Sequence, residues 1–130
     1  MPIEVCGLAP LLQVYDMPTS VRFYRDLLGF ELVNHAPEYA PGRFHWALLR
    51  LKGVELMLNT KYEFEDQRPP KRVHEHDTGL YFGCEDVDAA YCHIREKGIE
   101  ARAPQVAPYG MKQLYIKDPD GFSLCFQWPA

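Results

Sequence analysis

No stretch of this chain is apolar over anything near the ~20 residues a membrane-spanning helix requires, so a membrane span is excluded as a reading of its function. The opening Met1-Pro2-Ile3-Glu4-Val5 has no basic segment running into an apolar one. No secretory signal is therefore expected, and the cytoplasm is the expected compartment. The four cysteines, Cys6, Cys84, Cys92 and Cys125, include no CxxC or CxxH pair. Zinc ribbons and dithiol redox motifs are thereby excluded, and small buried thiols in a reducing compartment are expected. No cluster of lysine and arginine occurs, and the net charge is −4. A nucleic-acid partner, which needs a basic face to neutralise phosphates, is not expected. No Ser-His-Asp or Cys-His order stands out, so no catalytic residue is assigned.

What is present suits one domain. The chain has 130 residues, of which 47% are hydrophobic and 25% charged, enough to bury a sizeable core. A strand is expected over 8–15. Asp16 then stands before Pro18 in a first helical turn, and Val21, Tyr24, Leu27 and Leu28 recur at helical spacing up to Gly29. Strands follow over 30–33, 44–51 and 54–58, the last two joined at Lys52-Gly53. Residues 61–77 are polar, broken by Pro69-Pro70, and read as a linker between two modules of about 1–60 and 78–130. The order then repeats: a strand over 80–84, a helix from Asp86 to Gly98, and strands over 99–103, 111–117 and 122–128, with the turn Asp118-Pro119-Asp120-Gly121 before the last. Helix starts, helix stops and hairpin turns recur in the same order, which points to duplication.

The segments Val14-Tyr15-Asp16, Phe23-Tyr24-Arg25-Asp26-Leu27-Leu28-Gly29-Phe30, Val54-Glu55-Leu56-Met57-Leu58, Asp86-Val87-Asp88-Ala89 and Asp118-Pro119-Asp120-Gly121-Phe122 carry a resemblance. Over nearly its whole length the chain resembles the vicinal-oxygen-chelate superfamily of glyoxalases, extradiol dioxygenases, epimerases and bleomycin-resistance proteins. The resemblance implies an α+β fold in which two tandem βαβββ modules form a curved, cup-like mixed sheet with the helices on its convex face. It also implies a homodimer.

Alternation agrees with one buried and one ligand-facing side. Leu12, Val14, Val54, Leu56, Leu58, Phe122, Leu124 and Phe126 are expected under the helices. Leu11, Gln13, Glu55, Met57, Asn59, Ser123, Cys125 and Gln127 are expected to face the cavity. By the same rule Phe44, Trp46, Leu48 and Arg50 line one inner strand and Met111, Gln113, Tyr115 and Lys117 its counterpart, with Tyr81 adding an aromatic. Tyr62, Phe64 and Tyr109 fall in loops near the mouth.

Metal-dependent members of the superfamily hold a divalent ion with four side chains, and the motifs place those positions at Ala9, Glu55, Gly79 and Cys125. Only Glu55 is a conventional hard-metal ligand; a two-residue shift of register would put Met57 in its place, or offer Leu11, Tyr81 and Gln127 at the other positions, so the expectation is no metal and no cofactor. His74 and His76 have HxH spacing but stand in the polar linker without a third ligand nearby. Glu55 has three readings: a group that binds ligand, a general base, or an ion-pair partner of Arg50 or Lys117. The resulting expectation is a metal-free, bleomycin-resistance-like binding protein. It would sequester an aromatic or cationic small molecule, in the manner of an antibiotic-resistance protein. Its ligand-binding residues are expected to be Phe44, Trp46, Arg50, Glu55, Met57, Tyr81, Gln113 and Tyr115. The rivals are a lyase, isomerase or dioxygenase of the same fold with an unusual metal site, and an accessory domain that binds a protein.

Overall fold

Asp16 ends a strand and begins a helix because its carboxylate can hold orphan donors of the first turn. In the computed structural model, which describes residues 3–60 and 78–130, Asp16 accepts from Thr19 N at 3.1 Å. Asp86 does the same for Ala89 N at 2.9 Å. Each aspartate opens the helix of one βαβββ module. The expected linker, 61–77, lies outside the described residues.

The first module runs β1 (Leu11–Gln13), α1 (Met17–Val21) with a π-helical continuation (Arg22–Leu27), β2 (Glu31–His35), β3 (Trp46–Leu51) and β4 (Val54–Asn59). The second runs β5 (Gly79–Gly83), α2 (Val87–Glu96), β6 (Gln105–Val106), β7 (Met111–Lys117) and β8 (Ser123–Pro129). The sheets have orders β1-β4-β3-β2 and β5-β8-β7-β6. In each, the module's first strand lies parallel to its last and the other pairs are antiparallel. The fold is thus α+β with two open, four-stranded mixed sheets, and the chain divides into two compact units between β4 and β5.

One sheet face in each unit is the core. Leu12, Val14, Ala47, Leu49, Leu56 and Leu58 are buried in the first, with Met17, Val21, Phe23 and Tyr24 from the helix. Leu114, Ile116, Phe122 and Leu124 are buried in the second, with Val87 and Ile94. The rings of Phe82 and Phe126, opposite one another across β5 and β8, stack at 5.2 Å. Val54, expected under the helix, stands at the strand end and is 39% exposed.

The two helices differ by a residue. The interval from Asp16 to Gly29 is one residue longer than that from Asp86 to Gly98. Both glycines take a positive φ, +92° and +78°, which favours glycine at this position. After α2 the closing bonds are Gly98 N to Arg95 O and Ile99 N to Ile94 O, the Schellman pattern. After the first helix they are Gly29 N to Arg25 O and Phe30 N to Tyr24 O, each wider by one residue. The extra residue is absorbed as the π turn. The wide turn also lets the neighbours Phe23 and Tyr24 both stay buried, their rings edge to face at 5.2 Å.

Most strand limits differ from the sequence reading by one to three residues. β1 starts at Leu11 because Pro10 has no N–H to donate, although its carbonyl accepts from Met57 N at 2.8 Å. β3 starts at Trp46 rather than residue 44. The expected strand over 99–103 is absent, and pairing with β7 is confined to Gln105–Val106. Its alanines supply little β-forming side chain, and Ala101 O faces Arg95 Nη1 at 3.4 Å rather than a ladder partner. Among the described residues, no helix is long and apolar enough to cross a membrane.

Candidate functional site

The face turned away from each helix carries the mixed polar and aromatic set. Residues directly opposite on paired strands share a face, so each open face can be read in rows. In the first unit Glu55 lies opposite Arg50 on the β3–β4 hairpin, and Arg50 Nε donates to Glu55 Oε2 at 3.0 Å. Both side chains are more than a third exposed, so the pair contributes only about 0–1 kcal/mol to stability. The next row is Leu11, Met57 and Leu48. The third is Gln13, Asn59 and Trp46, in which Asn59 Nδ2 donates to Gln13 Oε1 at 3.3 Å.

The second unit repeats the pattern with different chemistry. One row is Tyr81, Cys125 and Tyr115. The two phenol oxygens lie 3.2 Å apart and the rings meet edge to face at 6.2 Å. Cys125 lies between them and is buried. The hydrogen bond with Tyr81, helped by partial burial and by Cys125, holds the Tyr115 phenol well above the usual tyrosine range. Burial pushes the Cys125 thiol up, against the opposing hydrogen bonds of Tyr115 and the Leu114 backbone. Both groups are therefore neutral at physiological pH.

The adjacent row is Gln105, Gln113 and Gln127 across β6, β7 and β8. Gln113 is 9% exposed. Its Nε2 donates to Gln127 Oε1 at 2.9 Å and to the Tyr109 hydroxyl at 2.7 Å. A groove of about 330 Å³ reaches Gln105, Gln113 and Tyr115, with Arg102 and Pro108 among its walls. It lies where the 99–104 segment runs free of β7. A second, about 690 Å³, lies along Ile99–Arg102 and Tyr115–Lys117.

Of the residues expected to bind ligand, Trp46, Arg50, Glu55 and Met57 share the open face of the first unit. Gln113, Tyr81 and Tyr115 share that of the second. Phe44 joins neither set: it precedes β3, is buried, and stacks on His35 at 4.3 Å. His35 lies opposite the buried Ala47 and is itself exposed. Glu55 has its ion-pair partner in Arg50. The Gln113–Gln127–Tyr109 network was beyond sequence reading. The inward position of Gln127 followed from alternation, but no sequence signal joins a residue of the 107–110 turn to two strands.

The metal positions implied by the resemblance change in one respect. The hairpin turns at Gly53 and Gly121, with the pairs Leu11–Met57 and Tyr81–Cys125, make Met57 the counterpart of Cys125 and Glu55 that of Ser123. The set is then Ala9, Glu55, Gly79 and Ser123, or, one row along, Leu11, Met57, Tyr81 and Cys125. The first offers one carboxylate, already bonded to Arg50, and one hydroxyl. The second offers a thioether, a phenol and a buried thiol. Neither fits a catalytic divalent ion, whose sites are built from several imidazoles and carboxylates. Among the described residues, no three His, Cys, Asp or Glu side chains come together as a metal site. His74 and His76, like Tyr62 and Phe64, lie outside the described residues.

Comparison with known proteins agrees with this architecture. The uncharacterized protein YaeR of Escherichia coli K12 is 31% identical over 111 residues, 84% of each chain. The solved structure of SMU.1112c is 26% identical with a TM-score of 0.75, covering 96% of this chain and all of that one. TnmS3, an antibiotic binding protein from Streptomyces sp. CB03234, is 24% identical with a TM-score of 0.68, covering 98% and 100%. The family model for the Glyoxalase/Bleomycin resistance protein/Dioxygenase superfamily matches residues 7–126. Two βαβββ modules, the repeated helix and hairpin signals and this match over almost the whole chain establish that the protein belongs to that superfamily.

Proposed function

We propose that this protein is a metal-free small-molecule-binding protein, one domain built from both modules, that sequesters an aromatic or cationic compound through the open faces of its sheets. The carrying observation is the chemistry of the open faces: aromatic, amide and one ion-paired row, with no set of hard-metal ligands at the family's positions. Phenols, amides and an indole bind by stacking and hydrogen bonding and require no turnover. That TnmS3 is an antibiotic binding protein supports the same reading. We further propose a cytoplasmic homodimer as the functional form, with neither nucleic acid nor membrane as a partner.

Two measurements test this. Protein purified without chelator should contain no stoichiometric metal by plasma mass spectrometry. Tightly held Zn, Mn, Ni or Fe would overturn the metal-free reading and favour a lyase, isomerase or dioxygenase. A thermal-shift panel of planar aromatic and cationic compounds should show concentration-dependent stabilisation, about 2.7 kcal/mol at 100 times Kd. No response across the panel would overturn small-molecule binding and favour a protein partner.

A further inference from the structure

The outer edge of β7 is paired over only part of its length. Asp118 N donates to Phe122 O on the β8 side, and Ala107 N donates to Met111 O on the β6 side. Backbone groups of an antiparallel strand turn to opposite neighbours at successive residues. Leu114 and Ile116 therefore face β8, while Gln113, Tyr115 and Lys117 face the other way. Gln113 meets Gln105 there. Continuing that register would bring Ala103 to Tyr115 and Ala101 to Lys117, but the 99–104 segment runs outside the ladder. On this edge the N–H and C=O groups of Tyr115 and Lys117 thus have no strand partner among the described residues. The groove of about 690 Å³ lies between them and Ile99–Arg102.

Charge sets the same groove apart. Arg95 from α2, Arg102 from the free segment and Lys117 from β7 all border it, against the single carboxylate of Glu100. None of these three cations has an ion-pair partner among the described residues. Arg95 reaches the Ala101 carbonyl at 3.4 Å and lies 6.0 Å from the Tyr91 ring centroid, contacts that leave its charge uncancelled. The chain as a whole has 18 acidic and 14 basic residues, so this excess of cations is local. It also keeps a second copy of the same edge away, because pairing the two would set like charges side by side.

We infer that this edge is a docking surface for an acidic polypeptide segment in extended conformation, added to the second sheet as a strand beside β7. Main-chain groups of the incoming strand meet those of Tyr115 and Lys117, and its carboxylates meet Arg95, Arg102 and Lys117. A small anion uses the cations alone, whereas a strand matches the donors and the acceptors of the edge together. The unpaired stretch ends where Asp118 opens the hairpin turn, so a short motif suffices to fill it. The surface runs along the sheet edge rather than over an open face, and it stands independently of the small-molecule reading above.

The test uses the full chain and the peptide acetyl-Thr-Glu-Val-Glu-Thr-Glu-amide. Its controls are the same peptide N-methylated at the central amides, its counterpart with lysine for glutamate, and citrate. Affinity is read by calorimetry at low salt, and amide hydrogen exchange by NMR. The acidic peptide should bind and should slow exchange at the Tyr115 and Lys117 amides. The N-methylated peptide keeps every charge but loses its main-chain donors, and should bind more weakly by roughly tenfold or more. The lysine peptide should not bind. Arg102→Glu combined with Lys117→Glu, at two exposed positions, should reverse the preference between the acidic and lysine peptides. Equal affinity for the methylated and unmethylated peptides, or for citrate, would overturn strand docking, as would exchange at Tyr115 and Lys117 that the acidic peptide leaves unchanged. A preference that survives the double charge reversal would overturn the placement at this groove. Failure of the acidic peptide to bind would overturn the inference outright, whatever the aromatic compounds do in the thermal-shift panel.

Discussion

Single side chains do most of the local specification here, and the two cap aspartates show how unequal equivalent residues become. The Asp86 carboxylate accepts from Ala89 N. Asp16 holds Thr19 N, the Thr19 hydroxyl and Arg43 Nη1, the last at 3.2 Å. Asp16→Ala should therefore lower stability by about 1 kcal/mol or more and Asp86→Ala by less, read from urea unfolding midpoints. Burial raises the Asp16 pKa, but the bonds from Thr19 and Arg43 outweigh it, so the net shift is downward from 3.8. A carboxyl whose folded pKa lies below its unfolded value contributes fully above the unfolded value and loses that contribution as pH falls through the folded one. Wild type should thus lose more stability than Asp16→Asn between about pH 6 and about pH 2.5, because asparagine caps without titrating. An identical acid profile in the two proteins would refute the assignment.

The Tyr81–Tyr115 contact runs the other way. Tyr115 is raised from 10.0, first by its hydrogen bond with Tyr81. Its contribution is present below the unfolded value and is lost as pH rises through the folded one. Tyr81→Phe should bring phenolate formation at Tyr115 to lower pH in an absorbance titration. Glu55→Gln, by contrast, should change stability by less than about 1 kcal/mol, since the Arg50 pair is solvent-exposed.

Elements were legible to different degrees. Both helices were readable because aspartate and glycine bracket an apolar period, and β7 matched its expected limits because Met111–Lys117 alternates cleanly. The strand expected over 99–103 was not, because its apolar pattern is right but its alanines cannot compete with exposure of that edge. The π turn was not read either, although its cause is visible as the extra residue before Gly29. Its consequence is testable. Deleting the exposed Arg25 should relax the wide turn to α-helix and leave the protein folded, within about 1–2 kcal/mol of wild type by urea unfolding. Deleting Arg95 from α2 has no wide turn to relieve. It rotates Ile94 against Gly98 and should cost several-fold more.

For the whole molecule, the family membership follows from features spread over residues 7–126, and the assembly is the level at which the proposal is least local. The proposed homodimer predicts sedimentation near twice the 15.0 kDa chain mass. A mass of one chain at concentrations well above the ligand Kd would refute it.

The duplicated order of strands and helices, the caps, the hairpin turns and the scarcity of hard-metal ligands at the positions the family resemblance implies were determined by the sequence alone. Each depends on residue type at short separation, where backbone conformation and side-chain period are local properties. What the open-face rows contain in detail was decided only in three dimensions. Register made Ser123, not Cys125, the counterpart of Glu55, and Phe44, which precedes β3, is buried and stacks on His35. It also joined Gln113, Gln127 and Tyr109 into one network. The residue types of the metal positions could be read from sequence, but which of them stand in one row could not. Pairing across strands depends on contacts between segments far apart in the chain, and a shift of two residues preserves every face while changing every neighbour.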